Sequence, residues 1–136
     1  MTLVLPTGGE NPHLSPSAPD GGDPTSPYRP VDAALTLATA LAFVGAGVSN
    51  ALNIGDAGAS FRRWGFPNDF RFLVAALEVG GGLASLSLST RAAALALLGA
   101  VITTAIATLV GHRSGWGHLA PALGFATLLV LDGFLS

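Results

Sequence analysis

Glu78 is a carboxylate in the middle of an otherwise apolar run, FRFLVAALEVGGGLASLSL, from Phe70 to Leu88. Lipid penalises such a charge by roughly 2.5–3.5 kcal/mol on insertion scales. Glu78 is therefore expected to face protein or water, or to carry a proton. At helical spacing its neighbours are Arg71, Val74, Ala75, Gly81, Gly82 and Ser85. That face is mostly small, Gly80-Gly81-Gly82 admits a close helix, and Gly81 and Ser85 form a small-xxx-small pair. The acid is thus placed on the packed face of its helix. Two roles follow for it. One is a hydrogen-bonded acid locking helices together, with Asn50 or Arg71 as partner. The other is a carboxylate that moves a proton or contacts a ligand. Arg71 lies two turns away, ~10 Å along the axis, so direct pairing requires both side chains to bend or a water between them.

Other polar residues gather by depth. Asn50, Asn53 and Asp56 end the first apolar segment. Arg62, Arg63, Asp69 and Arg71 lie in or near the connection that follows. His112, Arg113 and His118 lie around the third connection. Together they form a polar mouth above Glu78, although loops are polar simply because they touch water. In the third segment Ala92, Ala96, Ala100, Thr104, Thr108 and His112 recur every four residues as one ridge. Its threonines are expected to bond back to their own carbonyls. The binding candidates are Glu78, Arg71, Asn50 and His112. No catalytic residue and no metal site stands out: the HExxH, GxSxG, Walker and GxGxxG patterns are absent in usable context. His112 and His118 sit too close around one loop to ligate a haem from facing helices. Catalysis by the chain on its own is therefore not expected.

The elements that must position these residues are apolar. The chain has 136 residues, of which 50% are hydrophobic and 10% charged, against about 25% charged in soluble domains. Four apolar segments, 31–53, 70–88, 92–110 and 119–135, approach the roughly 20 residues that cross a bilayer. They lack the polar face of a soluble bundle. Pro30 and Asp32 suit the first helix start, and Pro121 falls in the first turn of the fourth. The fold class expected is all-α, a transmembrane four-helix bundle over 31–136. Residues 1–30 hold most of the nine prolines and read as a disordered tail. This tail is not a secretory signal, because no basic residues precede its short apolar run.

Four crossings put both termini on one face, A, with Arg29 and Arg91. The opposite face, B, carries Arg62, Arg63, Arg71 and Arg113. The arginine bias favours face B inside the cell and the termini outside a multi-pass cell-membrane protein. Trp64 and Trp116 also lie at face B. The net charge of −2 gives no reason to expect a nucleic-acid partner, and the lack of cysteine removes thiol chemistry. The partners expected are the lipid bilayer, a membrane redox partner, or a second copy, since glycine and alanine on three helices permit self-association.

The stretch SFRRWGFPNDFRFLVAALEVGGGLASLSL, Ser60 to Leu88, resembles the DoxX-like family of small four-helix membrane proteins. The shared elements are the Arg-Trp-Gly-Phe-Pro run, the Phe-Arg-Phe approach and the Leu-Glu-x-x-Gly of the second helix. The resemblance extends over about 31–135, with Trp64, Gly65, Pro67 and Glu78 as the matching positions. The Pro-rich tail departs from the family's habit, as do the absence of a proline before Arg91 and of a methionine in the third helix. The resemblance implies a membrane address and a bundle, and a link to thiosulfate:quinone oxidoreduction through the subunit that names the family. A quinone near Glu78, in an accessory or membrane subunit, is the cofactor it implies. Electron transfer would then need a partner. Beside it stand a small proton-coupled multidrug-type transporter using Glu78 and a structural or chaperone-like scaffold.

Overall fold

The computed structural model describes residues 30–135. The Pro-rich segment expected to be disordered lies outside them, apart from Pro30, which opens the first helix. The described residues form five helices and no strand: α1 Pro30–Ala51, α2 Ala57–Arg63, α3 Phe70–Ala84, α4 Arg91–Gly111 and α5 Trp116–Leu135. Helices α1, α4 and α5 are long and apolar enough to cross a membrane. Their outward faces stay apolar, with Leu41, Val110, Val130 and Phe134 exposed, as in a membrane protein.

The four longer helices pack in a ring. α1 packs beside α3, α3 beside α4, α4 beside α5 and α5 returns to α1, while the backbones of the diagonal pairs stay apart. The α1–α3 contact is the most extensive, and glycine is the reason. A Cβ on Gly47 of α1 would lie 2.7 Å from the Ala75 carbonyl oxygen, and one on Gly82 of α3 would lie 3.0 Å from the Ala40 carbonyl oxygen. The two backbones touch twice, in the manner of small-residue helix interfaces. Gly81 instead receives the side chain of Leu98 from α4. Toward face A the core is Phe43, Leu98 and Leu129, with Phe43 and Phe125 rings 5.0 Å apart.

Three boundaries differ from expectation. The fourth segment starts at Trp116, not at 119, with the His118 and Leu119 N–H groups reaching back to Gly115 O, so Pro121 falls in the second turn of α5 and not in its first. The second segment stops at Ala84, not Leu88, so α3 has 15 residues. The serines and threonine that follow supply competing hydroxyls: Ser85 Oγ donates to the Gly82 carbonyl at 2.7 Å and Thr90 Oγ1 to that of Ala84 at 2.6 Å. Such local bonds draw a chain out of helical continuation. The connection 54–69, expected as loop, contains α2. Asn53, Gly55 and Asp56 take left-handed conformations that turn the chain into it. Asn53 Oδ1 accepts from the Gly58 N–H at 2.7 Å.

The face-B ends of α1, α2 and α4 close alike. Ile54 N–H reaches back to Ser49 O, Phe66 N–H to Phe61 O and Ser114 N–H to Leu109 O. Asn53, Gly65 and Arg113 hold the left-handed residue of each cap. These are Schellman ends, and at α2 the accompanying apolar contact is the Phe61–Phe66 ring pair at 6.1 Å.

Candidate functional site

Ala75, Glu78, Gly81 and Gly82 are the buried residues of α3, and Ser85 just past its end is buried with them. The acid is therefore on the small, packed face, as the spacing predicts. The Gly47 contact brings the last turn of α1 level with it. Asn50 Nδ2 donates to Glu78 Oε2 at 2.7 Å, and Glu78 is 9% exposed. An amide donor facing a carboxyl is a strong pairing where water is scarce.

Glu78 and Asn50 line a cavity of about 560 Å³ that reaches from α3 to α4 and α5. Its α4 wall includes Ala100, Thr104 and Thr108, the middle of the four-spaced ridge. Both threonine hydroxyls donate to their own backbone, to Ala100 O at 2.8 Å and Thr104 O at 2.9 Å. Their oxygens keep acceptor capacity toward the cavity.

The mouth is aromatic and not the polar one that the sequence suggests: of that polar set only Asn50 and His118 line the cavity. Phe61 on α2 and Trp64 at its C-cap lie three residues apart on one side, and Gly65 and Pro67 then fold Phe66 and Phe70 back against them. Phe61 meets Trp64 edge-on at 5.6 Å, and Phe66 stacks on Phe70 at 4.6 Å, nearly parallel at 7°. Trp64 in turn meets the His118 ring edge-on at 6.3 Å and donates its Nε1–H to Ser114 Oγ at 3.2 Å. These contacts fasten α2 to the α4–α5 connection across the top of the cavity. Of the sequence positions Trp64, Gly65 and Pro67, Trp64 lines the mouth, while Gly65 and Pro67 lie in the turn beside it and outside the lining.

Of the four binding candidates, the structure joins Asn50 and Glu78 and separates the other two. Arg71 does not line this cavity. It faces a smaller hollow with Arg62, and its guanidinium lies over the Phe72 ring, 4.4 Å from the centroid. His112 is exposed at the end of α4, its Nδ1 3.0 Å from the Thr108 carbonyl oxygen. His118 takes the place at the cavity that spacing alone gave to His112. Among the described residues no three of His, Asp and Glu gather as a metal centre requires.

One polar cluster escaped the sequence. Asp132, whose side chain is 0% exposed, pairs with Arg91 and accepts from Thr36 Oγ1 at 3.1 Å. It ties α4, α5 and α1 together at face A, opposite the cavity mouth. Asp132 is a lone acid in an apolar helix whose end lies at face A with Arg91, and such an acid is the signal that a counter-charge is needed. Comparison with protein families, curated proteins and solved structures gives no significant match to this chain.

Proposed function

We propose that the chain is a four-helix membrane protein of DoxX-like type whose cavity holds an amphipathic, lipophilic molecule. Glu78 and Asn50 anchor the polar head, and the aromatic mouth packs its ring or tail. A quinone is the ligand class that the sequence resemblance favours. Its flat ring suits the faces of Phe61, Phe66, Phe70 and Trp64, and its oxygens suit an amide and a carboxyl. The observation that carries this reading is the Asn50–Glu78 bond at the wall of a 560 Å³ aromatic-lined cavity. Pockets of about 300–1,000 Å³ with few convergent polar groups are what small-molecule sites look like.

In this arrangement α3 is the fourth span. Its 15 residues cover about 22 Å, less than a hydrocarbon core of about 30 Å, so the bilayer thins locally around the Ser85–Thr90 turn. Face B, with Arg62, Arg63, Arg71 and Arg113, faces the cell interior. With no redox group of its own, the chain acts as an accessory or membrane subunit that presents the bound quinone to a partner.

The test is saturable binding of a short-tailed ubiquinone analogue to protein in lipid nanodiscs, followed by tryptophan emission. Glu78→Leu is expected to weaken binding by about tenfold or more, the worth of one hydrogen bond to a charged or strongly polar group. Asn50→Ala weakens it less. Wild-type protein without saturable binding, or a folded Glu78→Leu variant that binds as wild type, refutes the reading.

A second reading has its own observation. Five aromatic rings line a cavity that holds a single carboxyl, a cage suited to a lipophilic cation. Proton-driven uptake of tetraphenylphosphonium into vesicles, lost in Glu78→Gln, would favour transport over quinone holding. A scaffold role, with Glu78 locking α1 to α3 through Asn50, predicts that neither ligand binds and that Glu78→Leu destabilises the fold.

A further inference from the structure

Arg71 stands at a second hollow, of about 180 Å³, between α2 and the start of α3. Arg62 lines the same hollow, and the two arginines converge over a residue that has no side chain. A Cβ built on Gly58 would lie 3.8 Å from Arg62 Nη1 and 3.9 Å from Arg71 Cδ. Arg71 Nη1 is buried and has no hydrogen-bond acceptor. The Phe72 ring fixes the plane of that guanidinium, 4.4 Å from its centroid, but uses none of its N–H groups. Arg62 Nη1 donates to Asn68 Oδ1 at 3.0 Å, which leaves the rest of its fork open.

Asp69 also lines the hollow, yet it is not ion-paired with either arginine: the Arg91–Asp132 pair at face A is the one salt bridge among the described residues. The hollow therefore carries net positive charge. A buried N–H without an acceptor is rare in folded proteins, and a guanidinium fork matches the oxygens of a phosphate. We propose that this hollow binds a phosphate group, with Arg71 supplying the buried N–H and Arg62 the second contact. The hollow lies at the end of the molecule that carries Trp64 and Trp116. Two sources share this chemistry: the headgroup of an anionic phospholipid, and free phosphate or a soluble phosphomonoester.

The site is separate from the Glu78 cavity, and its test is independent of quinone binding. Full-length protein in mild detergent is titrated with dioctanoyl phosphatidic acid, dioctanoylglycerol and inorganic phosphate, with native mass spectrometry as readout. One phosphatidic acid is expected to bind per chain, and dioctanoylglycerol is expected not to bind. Arg71→Gln weakens binding by about ten- to a hundredfold. Arg63→Gln, the same loss of charge at an exposed residue outside the hollow, leaves it unchanged. Arg71→Lys, which keeps the charge but not the fork, also loses binding while its circular dichroism and unfolding temperature match wild type. Inorganic phosphate competing at similar concentration identifies a free phosphate ligand, and failure to compete identifies the lipid; both support the site. The proposal is overturned if Arg63→Gln weakens binding as much as Arg71→Gln, if Arg71→Lys binds as wild type, or if no saturable phosphatidic acid binds.

Discussion

Substituting Gly47 by alanine tests how Glu78 is held. The added Cβ falls 2.7 Å from the Ala75 carbonyl oxygen and 2.7 Å from Val79 Cγ2, where ordinary contact begins near 3.4 Å. The carbonyl is fixed in its own helical ladder, so α1 must back away by about 0.7 Å to restore normal contact. Asn50, one turn along, moves with it. Its 2.7 Å bond to Glu78 then stretches to about 3.4 Å, beyond the usual range for N–H···O. Overpacking of this kind costs about 1–3 kcal/mol, offset in part by the ~1 kcal/mol by which alanine outranks glycine in a helix. Gly45 on the same helix meets nothing within 4 Å, so Gly45→Ala collects the propensity gain without the clash. Thermal unfolding in one detergent, paired with the quinone-analogue titration, should place Gly47→Ala below wild type on both measures and Gly45→Ala at or above it. If the two variants unfold and bind alike, the glycine contact does not position the acid, and the anchoring role of Glu78 goes with it.

Two further outcomes follow from named contacts. Asp132→Ala leaves Arg91, whose side chain is 15% exposed, without its counter-charge, and should cost about 3–5 kcal/mol in unfolding. The apolar double variant Arg91→Met/Asp132→Leu should recover most of that loss. Trp64→Phe keeps a ring at the mouth but removes the bond to Ser114; it should destabilise by about 0.5–1.5 kcal/mol and abolish the emission change on ligand binding. Trp116, 76% exposed, should be replaceable by phenylalanine without affecting either reading.

The period of the helix carried the sequence reading a long way. Glu78, Gly81, Gly82 and Ser85 share a face whatever packs on it, and the same rule made Asn50 a sound partner, because α1 ends near that depth. Four apolar runs gave four longer helices, with ends displaced where serine and threonine hydroxyls or left-handed caps intervene, and at α5, which starts three residues early at Trp116. What periodicity lacks is the identity of the neighbour. Arg91 and Asp132 lie 41 residues apart, and nothing local shows that α4 and α5 meet there. The seven residues of α2 are too few for a period to emerge, so Phe61 and Trp64 read as loop aromatics, not as two rungs of a lid. His112 and His118 flank one short turn, and only the packing of α5 decides that the second faces inward. Arg71 was sent toward Glu78 by spacing along one helix, while α2 provides the hollow it occupies.

Backbone pressed on backbone leaves no side chain to compress. Through Gly47 and Gly82, α1 and α3 therefore behave as one stiff plate, with Glu78 and Asn50 riding on it. α4 meets that plate through the Leu98 side chain lodged against Gly81, a softer joint that rotamer changes can lengthen. At face A the Arg91–Asp132–Thr36 contacts pin α4 and α5 to the plate's edge. Once the Trp64 contacts to Ser114 and His118 open, widening of the cavity is a swing about that pinned end, largest at Thr104, Thr108 and His118 and smallest at the acid. A guest molecule is accommodated by the wall opposite Glu78, while the anchor keeps its place.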